Sequence, residues 1–213
     1  GSRREKTEHR EALADLDSDS AAFARKLPEM LSGIGSVYDQ WLEVNGPSPA
    51  GVGWESRAQQ ETSFEILWRV VDPTLRSVAV NDFGCGYGAL FSYLAEHPQM
   101  QRGRYFGTDV SAGMIAMARE RIQDPRASFT HAMAPQAVAD YTFASGVFSF
   151  NLVLDDGEWT RAPNAHWMAY IRAMLTAMRQ CSRLGIGFNM LDAAAEVKDP
   201  LLFYVAPAAM LEF

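Results

Sequence analysis

Cysteine is nearly missing from this chain: of 213 residues only Cys85 and Cys181 carry a thiol. Neither belongs to a CxxC pair or a Cys/His cluster. A disulfide framework and a structural zinc or other metal site are therefore excluded as expectations, and a reducing, cytoplasmic setting is the default. Long apolar runs are missing as well. No stretch approaches the ~18 residues that cross a bilayer, so no membrane partner is expected. The leading REKTEHREALADLDSDS (4–20) is too charged for a signal peptide. Positive charge is in short supply, with 19 Lys and Arg against 26 Asp and Glu. A net charge of -7 argues against a nucleic-acid partner, whose surface is itself negative. There is no internal repeat.

What the chain does have is an apolar run followed by a cluster of glycines. VNDFGCGYGAL (80–90) carries three glycines within five positions, two residues after an aspartate. The surrounding pattern gives the turn a context. Residues 1–20 read as a tag remnant and a polar lead. Residues 21–73 read as a helical cap, with Phe23, Leu27, Met30, Leu31, Ile34, Tyr38, Trp41 and Leu42 at three- and four-residue spacing over 21–44. Pro28 and the Gly33/Gly35 pair should break that segment into pieces. NGPSPAGVGW (45–54) reads as a loop, and 55–71 as a second helix.

From 74 to 213 strands and helices alternate. Strands are expected at 77–83, 104–110, 127–132, within 141–153 and at 184–191, and helices at 89–96, after Ser111 as N-cap, and at 164–181. Such alternation implies parallel pairing in a doubly wound α/β, Rossmann-like sheet with helices on both faces and the N-terminal segment as a helical lid. Ligands in these sheets bind at the carboxyl ends of the strands. Asp82 to Gly88, Asp109 to Ser111, Ala132 and Met133, and the segment from Ser145 onward should then surround one cleft.

Charge decides what that cleft holds. The turn technically fits G-x-G-x-x-G/A, the dinucleotide pattern, which alone is weak. A pyrophosphate at the following helix N-terminus would be repelled by Asp82. S-adenosylmethionine (SAM), with its ammonium and sulfonium, would be attracted. At ~4 Å and an effective dielectric near 20, one charge pair amounts to about 4 kcal/mol before desolvation. Asp109, at the end of the second strand, can accept from ribose hydroxyls in either ligand.

At these residues the chain resembles the class I SAM-dependent methyltransferases. The resemblance spans roughly 77–191 and is carried by VNDFGCGYG (80–88) and YFGTDVS (105–111). It implies SAM as cofactor and S-adenosylhomocysteine (SAH) as product. Gly84, Cys85, Gly86 and Gly88 would lie against the methionine part, Asp82 would organise the amino group, and Asp109 would hold the ribose with Val110 and Met114 beside the adenine. ASGVF (144–148), with Ser145, would be the segment where the methyl group faces its acceptor. The turn HAMAPQ (131–136) lacks the acid often found there, which leaves backbone atoms of Ala132 and Met133 to meet the adenine. ASGVF also lacks the NPPY-type signature of nucleic-acid and protein N-methyltransferases, so a small-molecule acceptor is expected. The terminal β-hairpin of the family sheet is expected to be missing, because the chain stops at MLEF; a truncated sheet edge would invite pairing with another chain.

A base is needed only where the acceptor holds its proton tightly. His166 is the leading candidate; Asp155, Asp156 and Glu158 read mainly as a solvated turn, and His131 as a neighbour of the adenine. Cys85 reads as a small turn residue rather than a nucleophile. Among the aromatic residues Tyr38, Trp41, Trp54, Phe148, Phe150, Trp159 and Trp167, most suit a core. Trp54, Phe148 and Trp159 are the candidates to touch an apolar or planar acceptor. The expected activity is methyl transfer from SAM to oxygen or nitrogen of a small molecule. A non-catalytic SAM-binding subunit and an NAD(P)-dependent oxidoreductase are the alternatives.

Overall fold

The apolar runs between glycine and proline punctuation become strands, each within two or three residues of its expected start. In a computed structural model, which describes residues 18–155 and 158–211, β1 (Ala79–Phe83), β2 (Arg104–Asp109), β3 (Ala127–His131), β4 (Ala139–Ala144) and β7 (Ser182–Phe188) form one parallel sheet. Their order is β3-β2-β1-β4-β7. The chain steps outward from β1 to β3 and then returns to the other side of β1. That reversal opens a crevice above the carboxyl ends of β1 and β4. Between β4 and β7 lies an antiparallel hairpin, β5 (Leu152–Asp155) and β6 (Glu158–Arg161). A two-residue parallel pair, β8 (Leu191–Asp192) with β9 (Tyr204–Val205), follows β7.

Side chains alternate along each strand, so each face of the sheet acquires its own core. One core joins Val78, Val80, Tyr105, Tyr141 and Phe143 to α2 (Arg57–Trp68), α3 (Ala89–Leu94) and α4 (Ala112–Arg121). The other joins Phe83, Ala144 and Phe148 to α1 (Ser18–Asn45) and α5 (Asn164–Gln180). A short α6 (Pro207–Leu211) ends the described chain. No helix among the described residues is long and apolar enough to cross a membrane.

One expectation is corrected. The segment 21–44 does not break: α1 runs unbroken from Ser18 to Asn45 with Pro28 inside it. One proline removes one intrahelical bond, which a helix of this length tolerates when its face is packed. Gly33 and Gly35 are buried in that face. A Cβ on Gly35 would stand 2.7 Å from the carbonyl oxygen of Val110, so this glycine permits α1 to lie directly on the chain leaving β2. The fourth strand, expected within 141–153 and ahead of ASGVF, ends at Ala144, and Gly146 turns the chain at φ +75°. Beyond it Val147 and Phe148 turn toward the cavity and the core, and Leu152 opens the hairpin. Asp156 and the lead before Ser18 lie outside the described residues.

Candidate functional site

The glycine turn is built from the end of β2. The backbone N–H groups of Gly84 and Cys85 both donate to the Thr108 carbonyl, at 2.8 and 3.1 Å. Asp109 completes the frame. Its Oδ2 accepts from the Gly86 N–H and its Oδ1 from the Ser111 N–H, each at 2.8 Å. One carboxylate thus ties the turn to the start of α4, and it retains lone pairs for further donors. Burial raises the Asp109 pKa, while the backbone donors from Ser111 and Gly86 pull it back. Gly84 is required twice over: its φ is +76°, and a Cβ there would meet Val147 Cγ2 at 2.4 Å.

Asp82 pairs in register with Gly107, which sets Tyr105 two residues back on the same sheet face. The Tyr105 hydroxyl donates a short hydrogen bond to Asp82 Oδ2. Asp82 Oδ1 accepts none among the described residues. With 3% of its surface exposed, the carboxyl is raised to about 7, first by burial and then by the facing charge of Asp109, with the Tyr105 bond opposing. The Cys85 thiol is pushed well up by burial and by the same two carboxylates, which suits an inert turn residue.

Two cavities meet over this frame. The larger holds about 650 Å³ of empty space open to solvent and is lined by Leu31, Ile34 and Tyr38 of α1, by Phe83, Asp109, Val110, Met114 and Val147, and by Trp167 and Tyr170 of α5. The smaller, about 310 Å³, is lined by Trp54, Gln60, Phe64, Asp82, Cys85, Tyr87 and Leu90. Val52, Gly84, Gly86 and Ser145 border both. Ser145 is held by a polar cluster at the ends of β4 and β7. Asn189 Nδ2 donates to Ser63 Oγ at 2.6 Å, Ser63 and Ser145 share a 3.0 Å hydroxyl contact, and Asn189 Oδ1 accepts from the Gly146 N–H at 2.7 Å. α1 is latched alongside: Asp39 Oδ1 accepts from the Ser111 hydroxyl and, at 3.0 Å, from the Gly113 N–H.

Of the residues singled out in the sequence, Asp82, Gly84, Cys85, Gly86, Asp109, Val110, Met114, Ser145 and Trp54 border the two cavities. Others stand apart from them. Gly88 caps α3 and faces Ile122 and Phe129. Ser111, fully buried, caps α4 by accepting from the Met114 N–H at 2.9 Å. Ala132 donates its N–H to the Asp109 carbonyl, and Met133 is 40% exposed. His131 is exposed, its Nε2 2.9 Å from the Val110 carbonyl. His166 lies in the first turn of α5, next to Trp167 but outside both linings. Phe148 has no exposed surface and packs on Phe83, Tyr170 and Phe188, so the acceptor contact expected of it is replaced by a core role in this form. Trp159 stands exposed on β6, outside both linings, and Glu158 beside it is exposed as well. Trp54 borders the smaller cavity beside Asp82.

Tyr38, Trp167 and Tyr170 line the larger cavity; the sequence set Tyr38 and Trp167 beside the cleft as mainly core residues and did not single out Tyr170. Their signal was present: a tyrosine on an apolar helix stripe buries a hydroxyl that needs a partner. Among the described residues, no group of three or more His, Cys, Asp or Glu is arranged to hold a metal ion.

Comparison with known proteins agrees with this geometry. Residues 80–181 match a family model described as a methyltransferase domain. Rv1506c of Mycobacterium tuberculosis, named as a methyltransferase, is 36% identical over 138 residues, covering 63% of this chain and 76% of its own. Among solved structures, the magnesium protoporphyrin IX methyltransferase of Synechocystis with bound SAH superposes with a TM-score of 0.56 at 16% identity, over 83% of this chain and 81% of that one. A [4+2]-cyclase, SpnF, superposes with a TM-score of 0.55 at 17% identity, over 86% and 71%. At these identities the structural likeness speaks for the fold, and one fold carries differently titled activities.

Proposed function

The chain belongs to the methyltransferase-domain family of SAM-dependent enzymes, and from that premise we propose that it moves the methyl group of SAM to oxygen or nitrogen of a small acceptor held on the α1 and α5 side of the larger cavity, beside the cofactor. The observation that carries this reading is the pair of cavities meeting across one glycine turn, with Asp82 bordering the smaller and Asp109 the larger. SAM, when bound, supplies a methyl group already activated on a sulfonium. In this proposal the uncommitted Oδ1 of Asp82 receives the ammonium, and the remaining lone pairs of Asp109 receive the ribose hydroxyls. Val110 and Met114 flank the adenine. Held there, SAM would offer its methyl group to a lone pair of the acceptor, with SAH as the leaving product.

The protein's part is positioning and exclusion of water. Ile34, Leu31, Val147, Trp167 and Phe83 offer an apolar enclosure, in which two reactants held at contact distance gain much of the rate enhancement. No His, Lys, Arg or Glu borders either cavity among the described residues. The chemistry therefore suits a nucleophile that needs no base before attack, such as an amine or an easily ionised hydroxyl. His166 would serve as base only if the start of α5 moved toward the cavity.

Calorimetry with SAH tests the assignment. Asp109→Ala should weaken binding about 10- to 100-fold, the value of hydrogen bonds to a charged group. A folded Asp109→Ala protein with undiminished affinity would refute the cofactor placement.

A further inference from the structure

Two tyrosines give the acceptor side of the larger cavity a specific chemistry. Tyr38 projects from α1 and Tyr170 from α5, and both border the cavity together with Asp109. Tyr170 is 4% exposed, and Tyr38 is partly buried. Their rings are well packed, Tyr38 edge-on to Trp41 and Phe150, Tyr170 against Trp167 and Phe148. Their hydroxyls are another matter: neither has a hydrogen-bond partner among the described residues. Neither is among the enclosed polar atoms that lack a partner, so each opens to the cavity; a ligand that covered them without offering an acceptor would lose about 1–3 kcal/mol per hydroxyl. Burial and the Asp109 charge push both phenols above their usual range. They therefore stay protonated at any working pH and act as donors rather than bases.

The rest of the lining narrows the ligand. Leu31, Ile34, Phe83, Val147 and Trp167 are apolar, no cationic side chain is present among the described residues, and the one carboxylate is Asp109. An anionic acceptor would find no protein cation and would face that carboxylate. An aromatic-rich slot suits a flat ring. We propose that the cavity selects a neutral, planar, ring-bearing acceptor that carries a hydrogen-bond-accepting atom, and that the Tyr38 and Tyr170 hydroxyls are the donors that orient it. This rests on the cofactor reading above, since the acceptor must enter beside bound SAM.

The test uses the full chain saturated with SAH and three bicyclic probes followed by fluorescence titration at pH 8. Naphthalene supplies the ring alone, quinoline adds a neutral acceptor nitrogen of the same shape, and 2-naphthoate adds an anion. Both neutral probes should bind and 2-naphthoate should bind least. In Tyr170→Phe or Tyr38→Phe, which keep the ring, the quinoline-to-naphthalene affinity ratio should fall about 3- to 10-fold, the value of one neutral hydrogen bond, while naphthalene and SAH affinities hold. A fall in either variant supports the proposal. A ratio unchanged in both, a preference for 2-naphthoate, or no binding of either neutral probe overturns it. Failure of SAH itself to bind wild-type protein would strike the cofactor reading instead and is read out separately by calorimetry.

Discussion

Replacing Asp82 with asparagine should make the empty protein more stable and the SAM complex weaker. The carboxyl is buried on β1, and its pKa is raised from 3.8 to about 7. The folded state therefore prefers the protonated form. Stability from this group is fully present below pH ~4 and is lost as pH rises through ~7. A displacement of that size corresponds to at most about 4 kcal/mol at pH 8, at 1.36 kcal/mol per pKa unit. Relaxation around the site brings the usable figure nearer ~2 kcal/mol, or about 4–8 °C in melting temperature for a chain of this length. Asparagine keeps an oxygen for the Tyr105 hydroxyl, and its amide nitrogen replaces the oxygen that accepts no bond among the described residues.

Thermal unfolding of both proteins at pH 8 and pH 5, with and without SAM, supplies the assay. At pH 8 the variant should melt higher when empty, and more than half of that gain should vanish at pH 5, where the wild-type carboxyl is protonated. SAM should then stabilise the variant much less than wild type. In wild type the affinity for SAM should rise about tenfold from pH 6 to pH 8, following the ionised fraction of a group with pKa near 7. An Asp82→Asn protein no more stable than wild type at pH 8, or a gain that persists undiminished at pH 5, would refute the account of Asp82 as a strained, ligand-ready carboxylate.

Two further substitutions probe the scaffold. Gly35→Ala would drive a Cβ to 2.7 Å from the Val110 carbonyl, which is backbone and cannot swing aside; urea denaturation should show a loss of about 1–3 kcal/mol, and an unchanged midpoint would mean that α1 does not seat on β2 as described. Phe148→Ala should cost about 3–5 kcal/mol because the ring is wholly enclosed, whereas a small loss of stability with a large loss of quinoline binding would return Phe148 to the acceptor site.

β1 and β2 were legible because each is a short run with apolar residues closed by glycine or an acid, and parallel pairing followed from the helices between the strands. Asp82 and Asp109 were legible for a related reason: a carboxylate at the end of such a run has no place in the core. The continuous α1 was not, since Gly33 and Gly35 have the same letters whether they break a helix or let it approach another backbone. Only the neighbour distinguishes the cases, and that neighbour, Val110, lies 75 positions away along the chain (110 − 35).

The acceptor cavity was hidden by a similar ambiguity. A period of 3.6 residues tells which face of a helix is turned inward, and it placed Tyr38 and Trp167 on such faces correctly. It does not tell whether that face meets packed side chains or empty space. Ile171, one residue past Tyr170, is fully buried in the core, while Tyr170 borders the cavity. What separates them in the sequence is the hydroxyl. An apolar side chain is satisfied by any close neighbour, whereas a phenol on a buried stripe must find an acceptor, and on α1 and α5 the protein provides none among the described residues. Counting unpartnered polar atoms on inward-facing stripes would have pointed to Tyr38 and Tyr170. Counting aromatic residues pointed to Phe148 and Trp159, one of which is enclosed and the other exposed.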